Sequence, residues 1–201
     1  MNPENGQADR TNSVDIELVR CHLDLLFSDL GGLKINLRRF GGNKPASWIL
    51  GSIDEACQTI EDDTTSNPEY FVGVCPRRPD AKDGKKVGVA EVGFLWADLD
   101  GKDFPGGKDE ALAKLGAFAL RPSFVIDSGN GLHAYWKFLN PVQLDDPIRL
   151  KEVEHFLDGL AAVLGADRAC AEVGRVLRLA GSYNRKNKAE PKLVRIVEMN
   201  Q

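Results

Sequence analysis

The stretch VGFLWADLD, residues 92–100, constrains this chain more than any other. An apolar run of this length, carrying acids only at its end, reads as a strand at the centre of a sheet. Side chains on a strand alternate faces, so Asp98 and Asp100 project to one side while Ala97 and Leu99 project to the other. Two carboxylates one pleat apart repel each other unless a cation sits between them. Hard oxygen ligands on an otherwise apolar strand suit Mg²⁺ or Mn²⁺, with phosphate oxygens completing the shell. Such a pair can serve a two-metal mechanism, with one ion at the attacking oxygen and one at the leaving oxygen. Taken alone, D-x-D also fits two solvated aspartates before the turn at Gly101.

Helical and strand patterns alternate around this segment. Residues 13–30 read as an amphipathic helix with Ser13 as N-cap, Val19, Leu23, Leu26, Phe27 and Leu30 on one face, and Gly31-Gly32 as its stop. Residues 34–40 alternate Ile35 and Leu37 with basic residues, which predicts an exposed strand. Ser52 caps a second predicted helix running to about Glu61. Short strands are expected at 70–75, 123–127 and 132–138, and helices at 108–120 and 147–164. In the last helix Ile148, Leu150, Val153, Phe156, Leu157, Leu160 and Val163 are the apolar positions. The predicted class is therefore α+β around a mostly antiparallel or mixed sheet.

The length of 201 residues suits one sizeable domain, and the first twelve read as a disordered polar tail. No apolar run approaches the roughly 18 residues of a membrane helix, so no membrane partner is expected. Cys21, Cys57, Cys75 and Cys170 stand far apart with no C-x-x-C pair. That spacing argues against zinc and against a disulfide framework, and fits a reducing cytoplasm. Net charge is −4, which does not suit a protein that coats DNA. The average hides a basic cluster: between residues 175 and 195 stand seven Lys or Arg against the single acid Glu190.

Two further segments carry chemistry. In Ser128-Gly129-Asn130-Gly131-Leu132-His133, a glycine-rich turn lets backbone N–H groups approach a phosphate. His133 follows, placed to donate a hydrogen bond to a triphosphate oxygen. A plain hairpin turn before a core histidine is the alternative. In the segment RVLRLAGSYNRK, residues 175–186, Arg175 and Arg178 share a face if the stretch is helical. The following turn offers Asn184 and Lys186. Arginine forks and a lysine point charge make a phosphate or nucleic-acid backbone clamp.

In this order, D-x-D, then S-G-x-G-x-H-x-x-W, then R-x-x-R-L-x-G-S-x-N-x-K resembles the catalytic core of archaeo-eukaryotic primases. The likeness is nearest to plasmid and phage replication primases and primase-polymerases, and spans roughly Tyr70 to Lys186. It implies an RRM-like sheet with packed helices over about 91–201, joined to an N-terminal α/β unit over about 13–90. It implies Asp98, Asp100 and a third acid as metal ligands for two Mg²⁺ or Mn²⁺ ions. Asp167 is the expected third acid, with Glu172 the alternate. Ser128, Gly131 and His133 would contact the incoming nucleotide, Arg175 would join the clamp on its phosphates, and Arg178, Asn184 and Lys186 would be phosphate-side or turn-shaping residues. Phe71–Arg77 resembles the family's strand ending in Pro-Arg, which makes Arg77 another expected phosphate contact. One departure stands out: the family usually has proline before the glycine of the third motif, where this chain has Ala180.

The implied reaction is template-directed nucleotidyl transfer from NTPs or dNTPs on single-stranded DNA, with release of pyrophosphate. Relatives often continue into a helical priming domain or a helicase, so such a partner is expected in cis or in trans. The alternatives are a D-x-D nucleotide-binding transferase, such as a glycosyltransferase, and a non-catalytic nucleotide- or DNA-binding relative. A rolling-circle endonuclease needs two histidines around one hydrophobic residue, and His22, His133 and His155 offer no such pair.

Overall fold

The computed structural model describes residues 13–42 and 44–199. The expected tail at 1–12 lies outside them. Helix α1 (Ile16–Phe27) starts on Asp15 rather than Ser13, the Asp15 carboxylate accepting from Leu18 N–H at 3.0 Å. Tertiary docking selects that cap, because Asp15 N–H also donates to Gly181 O at 2.9 Å. Gly181 has φ +87°, and a Cβ there would lie 2.3 Å from Asp15 O, so only glycine lets the two segments meet.

Strands β1 (Ile35–Phe40) and β2 (Ala46–Leu50) form a hairpin, followed by α2 (Ile53–Glu61). Ser52 caps α2 as expected, its Oγ accepting from Glu55 N–H at 3.1 Å. Next come β3 (Glu69–Gly73), β4 (Glu91–Asp100), α3 (Gly107–Ala117), β5 (Phe124–Asp127) and β6 (Gly131–Gln143). Helix α4 (Pro147–Leu164) starts on Asp146 with proline in its first turn and stops at Gly165, whose φ is +67°. The chain closes with β7 (Val176–Arg178), β8 (Tyr183–Asn184), β9 (Lys192–Leu193) and β10 (Arg195–Met199).

Two four-stranded antiparallel sheets result, ordered β2-β1-β3-β7 and β10-β5-β6-β4, with β8-β9 as a small ribbon. The class is α+β, as the sequence pattern predicts. The chain crosses the expected division near residue 90, since β7 returns to complete the N-terminal sheet. Three local expectations change. The exposed strand at 34–40 is interior: β2, which the sequence pattern did not reveal, covers one edge, and Ile35, Asn36 and Leu37 are buried. Arg175 and Arg178 do not sit on a helix, because residues 176–178 pair with β3. Helix α4 buries Val153, Leu157, Ala161 and Leu164 against β4 and its neighbours, leaving Ile148, Phe156 and Val163 outside.

The main core lies between α1 and the two sheets. Phe124 and Tyr135 stack at 4.4 Å there, and Phe94 and Trp96 pack beside them. No described helix is long and apolar enough to cross a membrane.

Candidate active site

Strand β4 delivers Asp98 and Asp100 to one end of the second sheet. Antiparallel register sets His133 opposite Asp98 and Gly131 opposite Asp100. A Cβ on Gly131 would lie 2.4 Å from Leu99 O, so glycine is what lets β6 begin this close to the acidic strand end. The preceding turn folds on itself: Ser128 N–H donates to Gly131 O at 2.9 Å, and Gly129 takes φ +94°.

Asp167 follows the left-handed stop of α4 and is fixed to β4 by its backbone, donating to Asp98 O at 2.8 Å. The next residues form one turn of 3₁₀ helix, Arg168–Cys170, capped by the Asp167 carboxylate at Ala169 N–H. That turn carries the Cys170 thiol to 3.4 Å from Asp98 Oδ2 and 3.3 Å from Asp167 Oδ2. Trp96 Nε1–H donates to Cys170 O at 2.9 Å and anchors the turn to β4. Burial, then the charge of Asp98, pushes the Cys170 thiol upward, so it stays protonated and can donate to either carboxylate. One ligand atom from each of Asp98, Asp167 and Cys170 lies within 4.8 Å of the others. Two carboxylates at that spacing, open on the cleft side, fit a divalent cation. Glu172 is exposed and lies outside this group.

Asp100 stands slightly apart, with Lys102 Nζ 2.9 Å from its Oδ2. Burial alone would raise its pKa. The Lys102 hydrogen bond and the charges of Lys186 and Lys102 override that and hold it below the usual carboxylate value. His133 Nε2 lies 3.7 Å from Asp98 Oδ1. Burial lowers the His133 pKa against the opposing pull of Asp98, and Arg178 and Arg175 reinforce the fall, which leaves a neutral imidazole at the cleft.

The opposite wall comes from the other sheet and the ribbon. Arg178 pairs with Glu69 at 2.7 Å and lies over the Phe71 ring at 4.7 Å. The same Glu69 oxygen accepts from Arg185 N–H at 3.0 Å. Asn184 is buried and joins two turns: its Nδ2 donates to Ser128 O at 2.7 Å, and its Oδ1 accepts from Lys186 N–H at 3.1 Å. Gly129 permits this contact, since a Cβ there would meet Asn184 Cβ at 3.0 Å.

Between the walls runs a cleft of about 270 Å³, which nine of the eleven expected site residues line. Gly131 shapes it from behind through the β4–β6 register. Arg77 is elsewhere. Its guanidinium is fully buried and donates to Cys75 O, to Gly84 O at 3.3 Å and to Gly174 O at 3.4 Å. These carbonyls converge on the side chain, so Arg77 has no path to a phosphate. It ties the loop after β3 to the residue before Arg175 instead. Sequence reasoning missed Cys170 and Glu69. The spacing Asp167-x-x-Cys170, one 3₁₀ turn, is the signal that would have found the first. Glu69 carries no local signal, because its partners lie 109 and 116 residues away. A larger hollow of about 560 Å³ beside Leu30, Pro76 and Phe138 gathers none of the expected site residues.

No family model matches the sequence. A replication protein of Clostridium perfringens is 32% identical over 105 residues, a match covering 50% of this chain and 26% of that protein. Among solved structures, the archaeo-eukaryotic primase domain of the cyanophage S-2L primase-polymerase superposes with a TM-score of 0.67. That similarity covers 94% of this chain and 92% of that one, at 19% identity. The catalytic domain of primase RepB′, solved with initiator DNA, gives 0.54 over 92% and 84% of the two chains at 18% identity. The resemblance carried by the three motifs and the similarity of the folded chain agree: this protein has the fold of an archaeo-eukaryotic primase domain, shared with the cyanophage primase-polymerase and with the catalytic domain of primase RepB′.

Proposed function

We propose that the chain is the catalytic core of a replication primase or primase-polymerase, a nucleotidyltransferase that joins NTPs or dNTPs on a single-stranded DNA template. The observation that supports this reading most is the two-sided cleft. Carboxylates of Asp98 and Asp167 stand on one wall, Arg175, Arg178 and Lys186 on the other, and the His133 imidazole lies at its base. A nucleoside triphosphate bound to divalent cations needs both signs of charge within one short span.

In this reading Asp98, Asp100 and Asp167 would hold Mg²⁺ or Mn²⁺, which would lower the pKa of the attacking hydroxyl and neutralise charge developing on the phosphates. The remaining work belongs to the chain. Arg178, already oriented by Glu69 and Phe71, holds a fixed fork toward the phosphates, and Lys186 adds a point charge at the mouth. His133 donates from Nε2 to a phosphate oxygen. Asn184 and Ser128 keep the two turns in register, so these donors converge without rearrangement. The 3′-hydroxyl gives its proton to solvent as its oxygen bonds to the α-phosphorus, the bond from that phosphorus to the bridging oxygen breaks, and pyrophosphate leaves with that oxygen. The template would be held mainly through its backbone, so binding should weaken as salt rises. The RepB′ complex with initiator DNA supports a DNA partner for this fold. A helicase or helical priming domain, in cis or in trans, completes the proposal.

The test is extension of a primed single-stranded template with Mg²⁺ or Mn²⁺ and labelled dNTPs or NTPs, beside Asp98→Ala/Asp100→Ala. Extension that disappears in the variant is the expected result. Absence of both product and nucleotide binding would overturn the reading.

A further inference from the structure

We propose that His22, on α1, is a positioning residue that fixes the tautomer of His133 so that His133 Nε2 presents an N–H to the cleft. The proposal rests on the reading in which His133 donates to a triphosphate oxygen, and extends it to a residue none of the three motifs contains.

The argument begins at the backbone. His22 is fully buried, and its Nδ1 accepts from Ala180 N–H at 3.0 Å. An imidazole nitrogen that accepts carries no proton, so the neutral ring must carry its proton on Nε2. Burial holds the His22 pKa down to about 3, so the ring is neutral at physiological pH. A main-chain amide therefore sets the tautomer of His22, and its Nε2–H becomes a donor inside the core.

That donor has no hydrogen-bond partner among the described residues, and neither have His133 Nδ1 and Tyr135 Oη. The three groups belong to one neighbourhood. The His22 and Tyr135 rings meet edge to face at 6.1 Å, and His133 and Tyr135, two residues apart on β6, point to the same side of the sheet. Buried polar groups in folded proteins are paired, and one enclosed water serves two to four of them. A water that accepts from His22 Nε2–H and donates to His133 Nδ1, with Tyr135 Oη as third partner, satisfies all of them. His133 Nδ1 is then an acceptor, and its proton lies on Nε2, the nitrogen beside Asp98. With the other tautomer, Nε2 would turn a lone pair toward the phosphate oxygen.

Ala180 belongs to the same device, since a proline at this position would have no N–H to give His22.

The test is nitrogen-15 NMR of the histidine side chains in the full chain, which reads each tautomer directly. His22 and His133 should both show an unprotonated Nδ1 and a protonated Nε2. His22→Phe alone strands the buried Ala180 N–H and risks the fold. In His22→Phe/Ala180→Pro that amide is removed together with its acceptor. The double variant should keep its fold while His133 shifts to a mixture of tautomers. Its nucleotide KM should rise roughly tenfold, with a smaller change in kcat. A wild-type His133 protonated on Nδ1, or a His133 tautomer unchanged in the double variant, would overturn the proposal. The expected tautomers in a protein that neither binds nor extends with nucleotides would sink the primase reading and leave the link between the histidines standing.

Discussion

On one wall of the cleft Asp98 and Asp167 are fixed by main-chain pairing, and the neighbours of their oxygens are a protonated thiol and a neutral imidazole. On the other wall Arg178 reaches the cleft already paired with Glu69 and resting on Phe71. Two carboxylates held together without a full cation between them keep an electrostatic cost that a bound divalent ion would relieve. An arginine that is already paired has less to gain from a phosphate, but its fork is held in one orientation. The acidic wall is therefore built to bind charge, and the basic wall to aim it.

This contrast predicts unequal losses. Asp167→Asn keeps the shape and the cap at Ala169 but removes a charged ligand, and should lower kcat on the order of a thousandfold. Arg178→Lys keeps the charge and loses the fork. It should raise nucleotide KM on the order of tenfold while changing kcat less. Steady-state extension on a primed template separates the two. Equal losses, or a kcat-dominated loss at Arg178, would break the comparison.

Cys170 sharpens it. A thiol within hydrogen-bond reach of both carboxylates is a soft atom in an otherwise hard oxygen site. Cys170→Ala should cost only a few-fold in Mg²⁺-supported extension, because Mg²⁺ takes oxygen ligands. It should weaken binding of Cd²⁺ to the protein much more, since the thiolate is the ligand that Cd²⁺ prefers. Calorimetric titration with Cd²⁺ checks this. Unchanged Cd²⁺ affinity would mean that the sulfur only donates a hydrogen bond.

The acidic wall was the more legible of the two in the sequence, for a physical reason. The period of two on β4 is local, so the shared face of Asp98 and Asp100 follows from seven or eight neighbouring residues. The glycine-histidine turn is equally local. The basic wall depends on pairings between distant segments. Residues 176–178 become a strand because β3 is there to pair with, and Arg178 is aimed by Glu69. Arg77 shows the same limit from the other side. Nothing near Pro76-Arg77 announces that carbonyls from Gly84 and Gly174 will close over the guanidinium. The cap of α1 failed for this reason too, since Ser13 and Asp15 are both good caps locally and docking on Gly181 decides between them.

Beneath both walls the comparison reaches His22, whose protonation couples stability to pH. Its pKa falls from 6.5 to about 3 on folding, so the folded state favours the neutral ring. Between those values the unfolded chain binds more protons, and stability must rise with pH there. The contribution is complete above about pH 6.5 and is lost as the pH falls toward about 3, by at most about 1.4 kcal/mol per pH unit. His133, also lowered by burial, adds in the same direction. The lowered carboxylates Asp63, Asp83, Asp100 and Asp158 act below their usual value of 3.8 and leave the upper part of the window to the histidines. Urea unfolding from about pH 7 to about pH 4.5 should therefore show wild-type stability falling while His22→Phe/Ala180→Pro changes less. Parallel curves for the two proteins would mean that His22 is not held neutral. The water-bridged chain from Ala180 to His133 would then lose its first member, and the aim of the imidazole would have to come from the acidic wall alone.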